Sequence, residues 1–380
     1  MPQEQKPIFF EGINALRFIA ALAVVITHIE LIKHIFGIDN YWQNTLVFNL
    51  GGLGVYFFFV LSGFLITYLL LVEKQKTNTV SVKKFYWRRV LRIWPLYYLI
   101  VLIGFFVLPR FELFHISYLQ TNFEQHFNSN LFLYLLILPN LAFALFTAVP
   151  NIGQTWSIGV EEQFYIVWPW VIKKSKNIFK TLLIIIVSLI ALKVIVLLLG
   201  KFYNQQAWYL VLKVFIAMSK FECMAIGGIG AYYLFNQPIF LSVFKHVTVP
   251  IVALILIIAL LYITPAFLQD GLHIVMAVLF LAIILYVVQS HTRWLQSNIL
   301  NFLGKISYGL YMYHLMLIPL ILFFIMKFMT ADNSLMFNIV LYSATISASI
   351  LVASISYYVF ELKFVRLKER FAVVKSGDRD

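Results

Sequence analysis

The chain has 380 residues, 29 basic and 16 acidic side chains for a formal charge of +13, and a hydrophobic content of 62%. Soluble domains are roughly 45–50% apolar and about a quarter charged. Here only 12% of residues are charged and mean hydropathy is +0.88, which excludes a sizeable soluble domain and leaves room for roughly ten to twelve helices at about 20 residues per membrane span.

Taken from the amino end, the first apolar run, 13–32, lacks the basic flank and small-residue cleavage site of a secretory leader, so it reads as a retained helix. It carries Arg17 and His28, and their eleven-residue separation puts both on one face about 16 Å apart. Further apolar windows fall at 50–72, 91–109, 181–200, 208–235, 247–263, 273–290, 306–327 and 336–360. Two stretches need a separate decision: 131–148 is broken by Pro139 and Asn140, and 158–172 is short and opens near Glu161 and Glu162.

The distribution of basic residues decides it. Lys74, Lys76, Lys83, Lys84, Arg88, Arg89 and Arg92 hold one connection in the cytoplasm, and Lys173, Lys174, Lys176 and Lys180 hold another. An even number of spans must separate them, so 91–109 and 158–172 cross while 131–148 dips into or lies on the outer face. The expectation is an all-α, polytopic membrane helix bundle of about ten transmembrane helices with both termini cytoplasmic. It comprises one membrane domain over 1–365 and a basic cytoplasmic tail over 366–380. Inner segments then hold 21 Lys and Arg against three outside, Lys33, Arg110 and Lys201. Topology accounts for the basic charge, so membrane lipids are expected partners and nucleic acid is not.

Ionisable groups inside a membrane are costly and invite a functional reading. With the amino terminus inside, Arg17 lies toward the cytoplasm and His28 toward the outer half, from where they can line one cavity. The structural alternative has Arg17 snorkelling to lipid and His28 hydrogen-bonding a neighbouring helix. Arg88, Arg89 and Arg92 precede Ile93-Trp94-Pro95; Arg89 and Arg92 are i, i+3 neighbours whose guanidinium forks suit a phosphorylated donor, against ordinary helix anchoring. Trp156 and Ser157, with Glu161 and Glu162 one turn on, form an outer-mouth constellation that could orient a hydroxyl, or an interfacial belt. Ser307, Tyr311 and His314 make one polar stripe at i, i+4 and i+7, facing a cavity or a partner helix. His34, His115, His126, His246, His273 and His291 have no partner at ligand spacing, and the single Cys223 excludes an intrachain disulfide, so no metal is expected.

In order, these motifs resemble one family. Arg17 and His28, Gly54-Val55 with Phe58 to Phe64 around Ser62 and Gly63, Arg89-x-x-Arg92-Ile93-x-Pro95, Trp156-Ser157 with Glu161 and Phe164-Tyr165, and Ser307-Tyr308-Gly309-x-Tyr311 with His314 are similar to the acyltransferase-3 family of bacterial integral-membrane O-acyltransferases. The likeness spans about 11–365; it departs after Glu361, where the family commonly has a proline two residues on and this chain has Lys363. The resemblance implies a bacterial inner-membrane enzyme. Its donor would be acetyl-CoA or another acyl-CoA, and its acceptor a hydroxyl of a cell-envelope glycan or lipid-linked saccharide.

On that implication, Arg88, Arg89 and Arg92 take the donor phosphates and Arg17 guides the pantetheine arm. His28 serves as general base or as nucleophile, the base role preferred because imidazole titrates near neutrality. Glu161 or Glu162 orients His28 or binds acceptor hydroxyls, with Trp156, Ser157 and His314 beside the acceptor. Ser62, Ser307 or Tyr311 stabilises the oxyanion. The rival classes are a transporter or flippase for a glycolipid or anionic solute, and a noncatalytic assembly subunit.

Overall fold

The computed structural model describes residues 8–236, 238–264, 269–290, 292–331 and 334–375. Among them the chain is built from helices and contains no β-strand. In order these are α1 (Ile13–Ile35), α2 (Thr45–Thr77), α3 (Val82–Phe106), α4 (Ser117–Gln125), α5 (Phe127–Leu135), α6 (Pro139–Phe146), α7 (Trp156–Lys174), α8 (Ile178–Tyr203) and α9 (Ala207–Met218). Then come α10 (Phe221–Asn236), α11 (Thr248–Ile263), α12 (Gln269–Gln289), α13 (Asn298–Lys305), α14 (Ser307–Ile325), α15 (Leu335–Ser356) and α16 (Leu362–Glu369). Seven helices among the described residues, α1, α2, α3, α8, α12, α14 and α15, are long and apolar enough to cross a bilayer. His291 and the tail beyond Lys375, Arg379 included, lie outside the described residues.

Two segments are not single helices. The 131–148 stretch is divided between α5 and α6, each too short to span, with Pro139 opening α6 because its missing N–H is harmless in a first turn. The 208–235 window, expected as one span, breaks between Met218 and Phe221. Ser219 is extended there, and its hydroxyl donates to the Phe215 carbonyl at 3.0 Å. Lys220, 9% exposed, sets its ammonium 5.5 Å from the centre of the Tyr56 ring.

Helix α2 is the axle of the bundle, because its glycines let other backbones come close on two faces. Gly54 faces α1, where an added Cβ would stand 2.6 Å from the Ala20 carbonyl oxygen. Gly63 faces α10, where a Cβ would overlap the carbonyl of Met224; reciprocally, one on Gly227 would overlap the carbonyl of Val60. Between lipid tails, where water gives no hydrophobic drive, such close approach lets dispersion contacts accumulate. Helix α10 runs parallel to α2, and α1 runs antiparallel to it.

Polar ties lock the rest. Lys33, expected as a charge in an outer connection, is fully buried inside α1: its ammonium donates to Glu30 at 2.9 Å and to Asn338 of α15 at 2.9 Å. The Glu30 carboxylate also accepts from the Tyr342 hydroxyl at 2.7 Å and the Tyr41 amide at 2.5 Å. The pair survives burial because its oxygens are so fully hydrogen-bonded. Deeper in the bundle, Glu222 of α10 holds Lys193 of α8 and, at 2.5 Å, His273 of α12. The amide of Ile8 donates to the carbonyl of Lys375 at 2.9 Å, so the two ends of the described chain lie on one face.

The glycine contacts are testable. Gly63→Ala should lower thermal stability in detergent at a cost on the order of 1–3 kcal/mol, the range for overpacking a tight site. Gly52→Ala, whose Cβ would meet nothing nearer than the Tyr56 hydroxyl at 3.9 Å, should not lower it. Melting curves of the two purified variants make the comparison.

Candidate active site

A cavity of about 150 Å³ opens between α1, α2, α3, α7 and α14. Arg17, Ser62, Arg89, Arg92, Ser157, Glu161, Tyr165, Ser307, Tyr308 and Tyr311 line it together with apolar side chains, chiefly Val55, Phe58, Leu61 and Ile93. Helical spacing explains the convergence on two elements: Glu161 and Tyr165 are one turn apart on α7, as Ser307 and Tyr311 are on α14.

One end of the cavity is cationic. Arg89 and Arg92, i and i+3 on α3, line it, and the Arg89 guanidinium lies 5.6 Å from the ring centres of both Phe85 and Tyr165. Its Nε is buried, with no hydrogen-bond partner among the described residues. Arg88 points elsewhere: it donates to the Phe371 carbonyl at 3.0 Å and pairs with Glu73 at 3.2 Å, so it ties the chain after α16 to the end of α2. The three arginines grouped by sequence therefore divide into one structural tie and two cavity-lining residues.

The acidic pair divides as well. Glu161 lines the cavity within electrostatic reach of Arg89 and Arg17. Glu162 turns to α3, where it accepts from the Trp94 indole at 2.9 Å. Trp156 packs edge-on against Phe59, 6.2 Å between ring centres, and does not line the cavity.

The hydroxyls considered as oxyanion donors are engaged. Ser62 shares a 2.5 Å hydrogen bond with the Tyr165 hydroxyl, and Ser307 donates to the Gly304 carbonyl at 2.9 Å. Tyr311 donates to the Gln154 carbonyl at 3.0 Å and lies 2.8 Å from Ser157 Oγ. Gln154, absent from the sequence reading, in turn donates to the Met312 carbonyl at 2.8 Å and so fixes α14 against the segment leading into α7. No spacing rule links Gln154 to Tyr311 across the chain, so only the fold could reveal it.

Behind Tyr311 lies a histidine pair. His28 Nδ1 and His314 Nε2 are 2.7 Å apart with the rings nearly parallel, and His314 Nδ1 is 2.7 Å from the Tyr311 carbonyl oxygen. A carbonyl can only accept, so His314 carries its proton on Nδ1 and offers a lone pair at Nε2. His28 must then donate from Nδ1, which leaves its Nε2 as the basic atom. The orienting partner of His28 is thus His314, not either glutamate. His28 does not line the cavity; the Tyr311 ring, 5.8 Å from that of His314 and 6.2 Å from that of Phe58, stands between.

Among the described residues no three His, Cys, Asp or Glu side chains converge as a metal site would require. His34 and His126 stack on Trp42 and Phe146, while His115 Nε2 bonds the Pro109 carbonyl at 2.9 Å.

The architecture is that of a polytopic membrane protein whose polar cavity has a cationic end and an imidazole pair behind its far wall. Residues 10–358 match the acyltransferase domain of the acyltransferase-3 family, and the chain belongs to that family. It is 31% identical over 194 residues to the O-acetyltransferase OatA of Staphylococcus aureus, covering 49% of this chain and 29% of that protein. It is 29% identical over 164 residues to the peptidoglycan O-acetyltransferase OatA of Listeria monocytogenes, covering 42% and 24%. A further S. aureus protein, named only provisionally as an O-acetyltransferase, is 27% identical over 387 residues, covering 95% of this chain and 58% of that one. The matched region thus spans less than a third of the OatA proteins. No solved structure matches.

Proposed function

We propose that this protein transfers an acetyl group from a cytoplasmic acyl-CoA to a hydroxyl of a cell-envelope glycan, from a bacterial inner membrane. The observation that carries this is the cavity itself, cationic at one end and closed at the other by Tyr311 in front of the His28–His314 pair. Family membership supports the acyl chemistry, the S. aureus relative supports an oxygen acceptor, and the peptidoglycan O-acetyltransferase of L. monocytogenes supports a glycan hydroxyl in that place.

The donor's phosphates dock at Arg89 and Arg92, whose forks match phosphate oxygens, while Arg17 guides the uncharged arm toward Tyr311, whose ring turns aside to let the thioester reach His28. The acceptor hydroxyl approaches His28 Nε2. As its oxygen attacks the thioester carbonyl, His28 takes the hydroxyl proton; the C–S bond breaks, and the sulfur leaves as a thiolate that receives that proton from His28. No net proton is consumed. His314 holds the imidazole in the required tautomer, as the third member of a triad does.

Purified protein given radiolabelled acetyl-CoA and cell-envelope glycan should move label into an alkali-labile ester; no label in the glycan sinks the reading in favour of a transporter or an assembly subunit. His28→Ala should abolish transfer. His314→Ala should lower kcat by roughly a hundredfold, the lower bound for a lost general base, with KM for acetyl-CoA unchanged. Steady-state kinetics in nanodiscs checks both.

The proposed topology has ten crossings and cytoplasmic termini. To the seven long apolar helices it adds α7, α11 and the α9–α10 pair. The meeting of Ile8 with Lys375 on one face supports an even count. In a Cys223→Ser background, cysteines at the exposed positions Glu124 and Thr147, on either side of α5 and α6, should both react with an impermeant thiol reagent in intact cells. Labelling of one alone would mean that this segment crosses.

A further inference from the structure

The basic tail begins with a helix that is part of the bundle. Helix α16 packs on α3, and its two faces differ sharply: Lys363, Arg366, Glu369 and Arg370 are exposed, whereas Phe364, Val365 and Lys368 turn inward. Lys368 is the one cation of that inner face, within electrostatic reach of Arg92, Arg89 and Arg17. Among the described residues neither Lys368, Arg89 nor Arg92 has a carboxylate within 4 Å. The acids in their field are Glu161 and Glu162, toward Arg89, Glu361, toward Arg92, and the exposed Glu369, toward Lys368; Glu361 already accepts from Ser356 at 3.1 Å and Glu162 from Trp94 at 2.9 Å. Bringing three like charges together in a half-buried mouth is unfavourable unless an anion joins them.

A flat surface lies beside these charges. Trp87 of α3 stacks on Phe371, one turn beyond Lys368, with ring centres 5.8 Å apart and an interplanar angle of 21°. It is still 44% exposed. Arg88 holds this arrangement through the Phe371 carbonyl, which explains why it is unavailable to the cavity.

We propose that α16 is a wall of the donor site, where Lys368 binds a phosphate of the donor's nucleotide head and the open face of Trp87 receives its purine. This rests on the reading that the donor is an acyl-CoA. It gives a role to a segment that sequence alone reads as the end of the membrane domain and the start of a basic cytoplasmic tail, and it makes the donor site a joint property of α3 and α16. An ammonium supplies a point charge to phosphate, and an indole supplies a stacking platform.

The test compares two donors on the full-length protein in nanodiscs: acetyl-CoA, and S-acetylpantetheine, which has the thioester but neither the nucleotide nor its phosphates. Lys368→Gln should raise KM for acetyl-CoA about tenfold, the loss of one charge-assisted hydrogen bond, with kcat unchanged. Lys368→Arg should restore most of it. Trp87→Leu should also raise KM for acetyl-CoA, and none of the three should alter turnover of S-acetylpantetheine. An unchanged KM in Lys368→Gln overturns the proposal, as does an equal loss with both donors, which would mean that Lys368 only holds the fold. Wild-type protein that uses S-acetylpantetheine or another donor but neither binds nor uses acetyl-CoA would overturn the donor reading, and this proposal with it.

Discussion

Close backbone contact along α2 is the constraint on which the rest of the bundle depends. Gly54 and Gly63 lie on different faces of one helix, so α1 and α10 can both approach it closely. That double contact sets the depth of the residues each neighbour carries: Arg17 on α1 comes level with the cavity, and Ser62, next to Gly63, is turned into it. A side chain at either glycine would separate helices whose relative position the cavity requires, so this packing is also a condition of function.

The cavity shows how polar groups in a membrane interior are kept from becoming liabilities. Its hydroxyls are bound to one another or to helix carbonyls, with Ser62 on Tyr165, Ser307 on Gly304 and Tyr311 on Gln154. These bonds make the lining rigid and leave few groups free to react. The exceptions are informative. Among the described residues Arg89 and Arg92 have no carboxylate within 4 Å, and His28 keeps one ring nitrogen unengaged while the other is committed to His314. Around the cavity, these unengaged groups fall at the two ends of the path proposed for the acyl group.

Much of this was legible in the amino-acid sequence because a bilayer imposes few solutions. Hydropathy located the long helices, and the Pro139-Asn140 break marked the stretch that forms the short α5 and α6. Helical periodicity put Ser307, Tyr311 and His314 on one stripe. What stayed hidden depends on contacts between distant segments. Nothing local distinguishes Arg88 from Arg89, yet the first ties down Phe371 and the second lines the cavity. Glu161 and Glu162 are adjacent and chemically alike, but the 100° step of a helix sends one to the arginines and the other to Trp94. The break at Ser219 escaped notice because a single serine and lysine scarcely lower the hydropathy of a window so rich in aliphatic residues. His314 was visible as polar; that it touches His28, 286 residues away, was not.

The tie among Lys193, Glu222 and His273 bears on how the protein is made. The carboxylate of Glu222 enters the membrane with a segment already broken at Ser219, and its imidazole partner lies 51 residues farther along. At about 5–20 residues per second, His273 emerges from the ribosome several seconds later. Lys193, 29 residues upstream, is already present. The order of synthesis therefore supplies the ammonium before the acid and the imidazole last, so the nascent chain need not hold a naked carboxylate among lipid tails. Translation order and charge neutralisation are matched: the ammonium of α8 precedes the carboxylate of α10 along the chain, and the imidazole of α12 follows both.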